Sequence, residues 1–266
     1  IQFISAYTMF CAALGLGIFL QFVWIVSSSP CFAQVTSKSP IVIHGDKSYP
    51  PYESLVDGKP VGMNVDLWQE ISKILGRPVE YRLYQWADSQ ARVKRGEGKV
   101  MSFMSFNKKR GELYDFTVPT FSFKYPIFVH ADNVDKFDIS NLVGKRIAVK
   151  KGGFPRTIIE TLHPGAEIVL IDSPLDGFRK LLRNEVDGVV EDELVGNTVL
   201  RENEFHSIRA SPKSLAAKSG HISVIKGNLE LVRQISEAVQ KLKETGKLDQ
   251  IADKWAGTPS LRINKR

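Results

Sequence analysis

Short apolar runs of strand character alternate with stretches of helical periodicity, and the same order of elements occurs twice along this chain. Such alternation restricts the fold to α/β layers around mainly parallel sheets, because a parallel strand pair needs a crossover and that crossover is usually a helix. In the first unit Ile41-Val-Ile43 reads as a buried strand, and Tyr49-Pro-Pro-Tyr52 as a rigid loop whose prolines forbid helix. Val65, Leu67, Trp68, Ile71, Ile74 and Leu75 recur at helical spacing until Gly76 and Pro78 stop them. The strand Val79–Leu83, a helix over Ala87–Lys94 and the strand Val100–Phe106 follow. In the second unit the strands are Pro126–Val129, Ile147–Val149, Ile168–Ile171 and Val186–Val190, with helices over Pro155–Leu162 and Ser173–Arg183. Two last helices, Leu229–Glu244 and Leu248–Trp255, are parted by Gly246 and carry apolar faces fit to pack back on the first unit.

The segment ahead of these units has another character. From Ile1 to Ser37 there is no charged residue, and Ala12 to Val26 is nearly unbroken apolar sequence. It reads as an export signal, ending in Cys31-Phe-Ala33 with cleavage after Ala33. A retained anchor is the alternative, since about 20 apolar residues suffice for a membrane span. The start at Ile1, with no basic residue before the apolar run, reads as truncated. Pro30 before Cys31 makes a poor lipidation site. Both cysteines, Cys11 and Cys31, fall in this leader, so the exported part must be stable without disulfides. Roughly 230 residues are enough for one or two ordinary cores. The net charge of +7 is spread among acidic residues without basic blocks, so nucleic-acid binding is not implied.

Chemistry concentrates in Ser102-Phe-Met-Ser-Phe-Asn-Lys-Lys-Arg110, which runs on to Tyr114-Asp-Phe-Thr-Val-Pro119. A short strand ends in hydroxyls and a guanidinium. Ser102 and Ser105 can donate hydrogen bonds, the amides of the following turn are free, and Arg110 offers a planar fork matched to a carboxylate. An ordinary solvated turn is the alternative.

The chain from about Ile41 to Gly257 resembles the family 3 extracellular solute-binding proteins, the two-lobed clamshells of amino-acid importers that also form sensor domains of bacterial receptors. The resemblance is carried, in order, by Asp46–Glu53, Gly58–Gly62 with Asn64-Val-Asp-Leu67, Trp86, Ser102–Arg110 with Tyr114–Pro119, Gly144–Val149 with Gly152, Val186–Asp192, and Gly246–Trp255. It implies a type II periplasmic-binding-protein fold with its ligand cleft between two α/β lobes. Lobe 1 would span 39–122 and 220–257 and lobe 2 126–212, after a leader over 1–33 and before a tail over 258–266. Crossovers would lie near Phe121–Tyr125 and Pro212–His221. It also implies that Arg110 grips a ligand carboxylate, that Asp192 takes its ammonium, and that Asp46, Tyr49 and Trp86 meet its side chain. A buried zwitterion needs both charges paired, and aromatic walls add stacking or cation–π attraction.

The same residues admit plainer roles. Trp86 fits a core cap, Tyr49 and Tyr52 a stiffened proline turn, and Asp192, within Glu191-Asp-Glu193, a solvated acidic turn; Asp66 and Asp187 read as structural. The chain also departs from the pattern. Gly153-Phe154 stands where amino-acid binders have Ser-Thr, so an aromatic replaces hydroxyl donors at the ligand, and Phe103, Asn107 and Gly98 replace a serine, a threonine and an aspartate. The expected function is capture of a small polar ligand, an amino acid or related zwitterion, in the periplasm or outside the cell. It would serve an ABC importer as a free monomer; the alternative is the sensing half of a receptor fused to a histidine kinase or cyclic-dinucleotide enzyme. A dehydratase-type enzyme on the same fold is a third reading. The five histidines lack ligand spacing, and no nucleophile-elbow or phosphate-loop motif occurs, so no metal, cofactor or catalysis is expected.

Overall fold

The structure, a computed structural model, describes residues 39–256; the expected leader over 1–33 and the tail over 258–266 lie outside them. In chain order the elements are β1 (Ile41–Asp46), β2 (Ser48–Tyr49), β3 (Glu53–Val56), β4 (Lys59–Val61), α1 (Met63–Leu75), β5 (Val79–Tyr84), α2 (Trp86–Lys94), β6 (Val100–Ser105), α3 (Lys108–Gly111) and β7 (Tyr114–His130). There follow β8 (Arg146–Lys150), α4 (Phe154–Leu162), β9 (Glu167–Ile171), α5 (Pro174–Leu182), β10 (Gly188–Val190), α6 (Glu193–Glu202), β11 (Ile208–Ile225), α7 (Leu229–Glu244) and α8 (Lys247–Ala256).

Eight strands form one sheet in the order β5-β1-β6-β11-β7-β10-β8-β9. Its two ends are parallel, as alternation with helices requires: β1 lies between β5 and β6, and β8 between β10 and β9. Its centre is antiparallel. There β7 and β11 pair from Ile208 opposite His130 to Ile225 opposite Tyr114. The end of β11 that carries Gly220–Val224 borders β6, and the end of β7 that carries Ile127 and Phe128 borders β10. The stretches expected as crossovers thus fall within two long continuous strands. Register shifts in β11 between Ala210 and Ser214, Ser214 and Ala216, and Ser219 and His221 mark where this ribbon is irregular.

Local sequence explains the elements around the sheet. On α1 the residues Val65, Leu67, Trp68 and Ile71 are buried, and Gly76 closes the helix in the left-handed conformation. Each such buried side chain contributes about 1.5–3 kcal/mol relative to exposure. The last helices pack as their faces foretell, α7 against β7 and α1, and α8 against α1 and α7. Asp66 ties this corner, accepting from Lys254 Nζ at 2.6 Å and Trp255 Nε1 at 2.7 Å. Asp187 is likewise structural, pairing with Arg146 at 3.0 Å. Among the described residues no helix is long and apolar enough to cross a membrane.

Candidate functional site

The C-terminal ends of β1, β6 and β8 meet the starts of α2 and α4 at a cavity of about 50 Å³ lined by side chains from both parallel ends of the sheet. Open α/β sheets bind ligands at the carboxyl ends of their strands. Of the residues singled out in the sequence, Asp46, Tyr49, Trp86, Ser105, Arg110, Gly153 and Phe154 line this cavity.

Arg110 is held by a short helix. Asn107 caps α3 by accepting from the Arg110 amide at 2.8 Å, so the amides of that turn are not all free as expected. The guanidinium is buried, with 8% of the residue exposed. Nη1 donates to the Ser105 carbonyl at 2.8 Å and Nη2 to the Gly152 carbonyl at 3.1 Å. Its carbon lies 6.0 Å from the centre of the Trp86 ring and 5.9 Å from that of Phe154. Among the described residues it forms no ion pair, and burial lowers its pKa.

An aromatic wall joins the two ends of the sheet. Phe121, Phe123 and Tyr125 alternate along β7 and so share a face. Phe123 packs at 5.4 Å between ring centres on both Phe103 and Tyr125, and Tyr125 reaches Phe154 at 5.7 Å. Tyr52 stacks on Phe103 at 4.9 Å and on Tyr49 at 5.6 Å.

Two expected ligand contacts are placed elsewhere. Ser102 is fully buried outside the cavity lining, and its hydroxyl donates to Glu53 Oε1 at 2.9 Å. That hydroxyl is taken up by Glu53, which lines the cavity in its place. Asp192 is not a lining residue either, because it caps a helix not foreseen in the sequence. Its Oδ1 accepts from the Leu194 and Val195 amides at 2.9 and 3.0 Å. Its Oδ2, fully buried, has no hydrogen-bond partner among the described residues.

Three charged residues that sequence reasoning passed over line the cavity: Glu53, Lys150 and Glu191. Glu53 accepts from the Asp46 amide at 2.7 Å and from Tyr81 Oη at 2.9 Å, and burial pushes its carboxyl up to about 7. Glu191 accepts its neighbour's amide through Oε1, whereas Oε2 has no partner among the described residues; burial raises it to about 7 as well. Lys150 Nζ forms an ion pair with Asp46 and donates to the Ser48 carbonyl at 3.2 Å. Lys150-Lys151 at a strand end carried no signal of burial, and nothing in Arg146–Lys150 marks which lysine points inward.

A model of the bacterial extracellular solute-binding proteins, family 3, matches residues 41–258. The chain belongs to that family. Among relatives of this solute-binding protein is the ABC transporter arginine-binding protein 1 of Escherichia coli (strain K12), 26% identical over 78% of this chain and 87% of that protein. A crystal structure of a histidine kinase sensor domain with similarity to periplasmic binding proteins matches at 30% identity and a TM-score of 0.76, over 84% of this chain and 96% of the other. An ancestral arginine-binding protein bound to arginine matches at 25% identity and a TM-score of 0.74, over 82% and 98%. The fold is therefore that of the two-lobed periplasmic binding proteins.

Proposed function

We propose that this solute-binding protein captures an amino-acid-like zwitterion and presents it to an ABC importer. One observation carries the reading. Among the described residues, the buried Arg110 guanidinium bonds only backbone carbonyls and Glu191 Oε2 has no partner, and both residues line one aromatic-walled cavity; the next residue, Asp192, has an equally unpartnered Oδ2 behind that lining. Burying charge without a counter-charge is costly, so such a site favours a ligand that supplies a carboxylate to Arg110 and an ammonium to the acidic pair. The names of the arginine-binding relatives support an amino acid as the class.

In this reading residues 39–122 with 220–257, and 126–212, act as lobes hinged along β7 and β11. Ligand binding shifts their open and closed populations, and the importer recognises the closed form. The protein acts in the periplasm or outside the cell as a monomer, after export through its N-terminal segment, and performs no covalent chemistry. Mass spectrometry of the small molecules that co-purify with residues 34–266, followed by calorimetry, tests the reading. A co-purified and tightly bound ligand lacking either charge would sink it.

The likeness to the histidine kinase sensor domain favours a second reading, ligand sensing as part of a membrane receptor. The coding sequence beyond Arg266 separates the two: a membrane span and signalling domain there would indicate a receptor, and a stop codon a free binding protein. Incubation with bound ligands and a search for product tests a third reading, a dehydratase-type enzyme.

A further inference from the structure

Asp46 and Lys150 come from the carboxyl ends of β1 and β8, at opposite ends of the eight-stranded sheet, and their side chains meet in the cavity wall. Only 4% of either side chain is exposed. The pair is fixed from several sides. Asp46 Oδ1 accepts from the Ser48 amide at 3.0 Å, and its own amide is anchored to Glu53. Lys150 Nζ bonds Oδ2 of Asp46 and the Ser48 carbonyl, and lies 5.2 Å from the centre of the Tyr49 ring. A carboxylate, a carbonyl and an aromatic face thus form a subsite for a cation, and a lysine of the chain itself provides that cation.

We propose, on the reading of the cavity as an amino-acid site, that Lys150 is a specificity residue that neutralises Asp46 and so excludes basic amino acids. The ammonium is paired with Asp46 in a cavity wall that also carries Glu191, whose carboxyl feels its charge. A ligand with a guanidinium or ammonium side chain meets a like charge there, and must expel Lys150 from a buried ion pair to reach Asp46. Specificity of this kind is built from repulsion as much as from attraction. The accepted ligand is a zwitterion with an uncharged side chain held by the aromatic wall. The inference runs against the arginine named in several relatives, since an unneutralised acidic pocket suits arginine and this one is already filled.

Calorimetry with L-arginine and its near-isostere L-citrulline, which differ chiefly in side-chain charge, tests the inference beside a panel of L-alanine, L-serine and L-glutamine. Wild-type protein is expected to bind at least one uncharged member and to bind it more tightly than arginine. Lys150→Met should raise the arginine-to-citrulline affinity ratio by about tenfold or more, and Asp46→Asn with Lys150→Met should abolish that gain. Circular dichroism first verifies folding; if Lys150→Met does not fold, Lys150→Gln is measured in its place. Wild-type preference for arginine over every uncharged member, or an unchanged ratio in the lysine variant, overturns the inference while the amino-acid reading stands. If no amino acid binds any of the folded proteins, both fall together.

Discussion

Arg110 Nη2 donates to the carbonyl oxygen of Gly152 at 3.1 Å, so a cation placed by α3 touches backbone at the far side of the cavity. Trp86 Nε1 at 3.0 Å and Gln90 Nε2 at 3.3 Å donate to the same oxygen. Three donors compete for two lone pairs. The guanidinium also has more N–H groups than the two used on Ser105 and Gly152, and can turn a fork towards an incoming carboxylate.

Arg110→Ala should therefore weaken binding of a carboxylate-bearing ligand by roughly 2–5 kcal/mol, the range for a desolvated charge pair that loses one partner. Arg110→Lys should recover only part, because an ammonium cannot present a planar fork. Calorimetry decides: a loss of about 1 kcal/mol or less, typical of exposed pairs, would mean that Arg110 serves the backbone alone.

Gly152 holds its carbonyl in place with φ at +72°, a conformation that costs other residues roughly 1–2 kcal/mol. A Cβ there would also lie 2.7 Å from Gln90 Nε2, the mobile end of a side chain that can swing away. Gly152→Ala should thus lose about 1–2 kcal/mol of stability by denaturant melts, mostly from the backbone. It should also weaken ligand binding by moving the shared acceptor. Unchanged stability would show that the loop relaxes freely.

Helices with a clear apolar stripe were legible in the sequence because their own periodicity determines them, as Val65, Leu67, Trp68 and Ile71 show on α1. The helix expected over Ala87–Lys94 starts at Trp86, one residue early, which sets the indole at the cavity. By contrast α6 was hidden. Its cap sits within three consecutive acids, and Gly196 at its centre reads as a breaker, whereas a Cβ there would lie 2.1 Å from the Phe128 ring, so packing demands the glycine. The small sheet β2-β3-β4 was hidden too, since strands of two to four residues are too short for a period. Arg110 was legible from its setting after a strand, but Lys150 and Glu191 were not. What buries them is the meeting of distant strands, and nothing in their neighbours in sequence marks it.

The raised carboxyls give stability a definite pH dependence. Glu191 and Glu53 titrate near 7 in the folded protein because they are buried, against 4.5 for the ordinary group. Between those values the folded state holds more protons than the unfolded one, so their contribution is fully present below about 4.5 and is lost as pH rises through 7. His44 and His221, whose burial lowers their pKa, act the other way and lose stability as pH falls below their ordinary value of 6.5. A difference measurement cancels the histidines. In urea melts from pH 5 to 8, Glu191→Gln should become steadily more stable relative to wild type as pH rises; a pH-independent difference would mean that Glu191 has an ordinary pKa.

Asp192 performs a structural task and is proposed to perform a recognition task, and two substitutions separate them. Asp192→Ala removes the acceptor of the Leu194 and Val195 amides, and loss of such a cap costs about 0.5–2 kcal/mol. Asp192→Asn keeps an acceptor at that position, so it should retain most of the stability while losing the charge. If the carboxylate also attracts a ligand ammonium, Asp192→Asn should weaken an amine-bearing ligand and spare its analogue without the amine. Among the described residues neither Asp192 Oδ2 nor Oε2 of the adjacent Glu191 has a hydrogen-bond partner, and this favours that outcome. Equal losses for both analogues by calorimetry would leave Asp192 as the cap of α6 alone. The ammonium would then fall to Glu191, and Glu191→Gln should show the selective loss that Asp192→Asn did not.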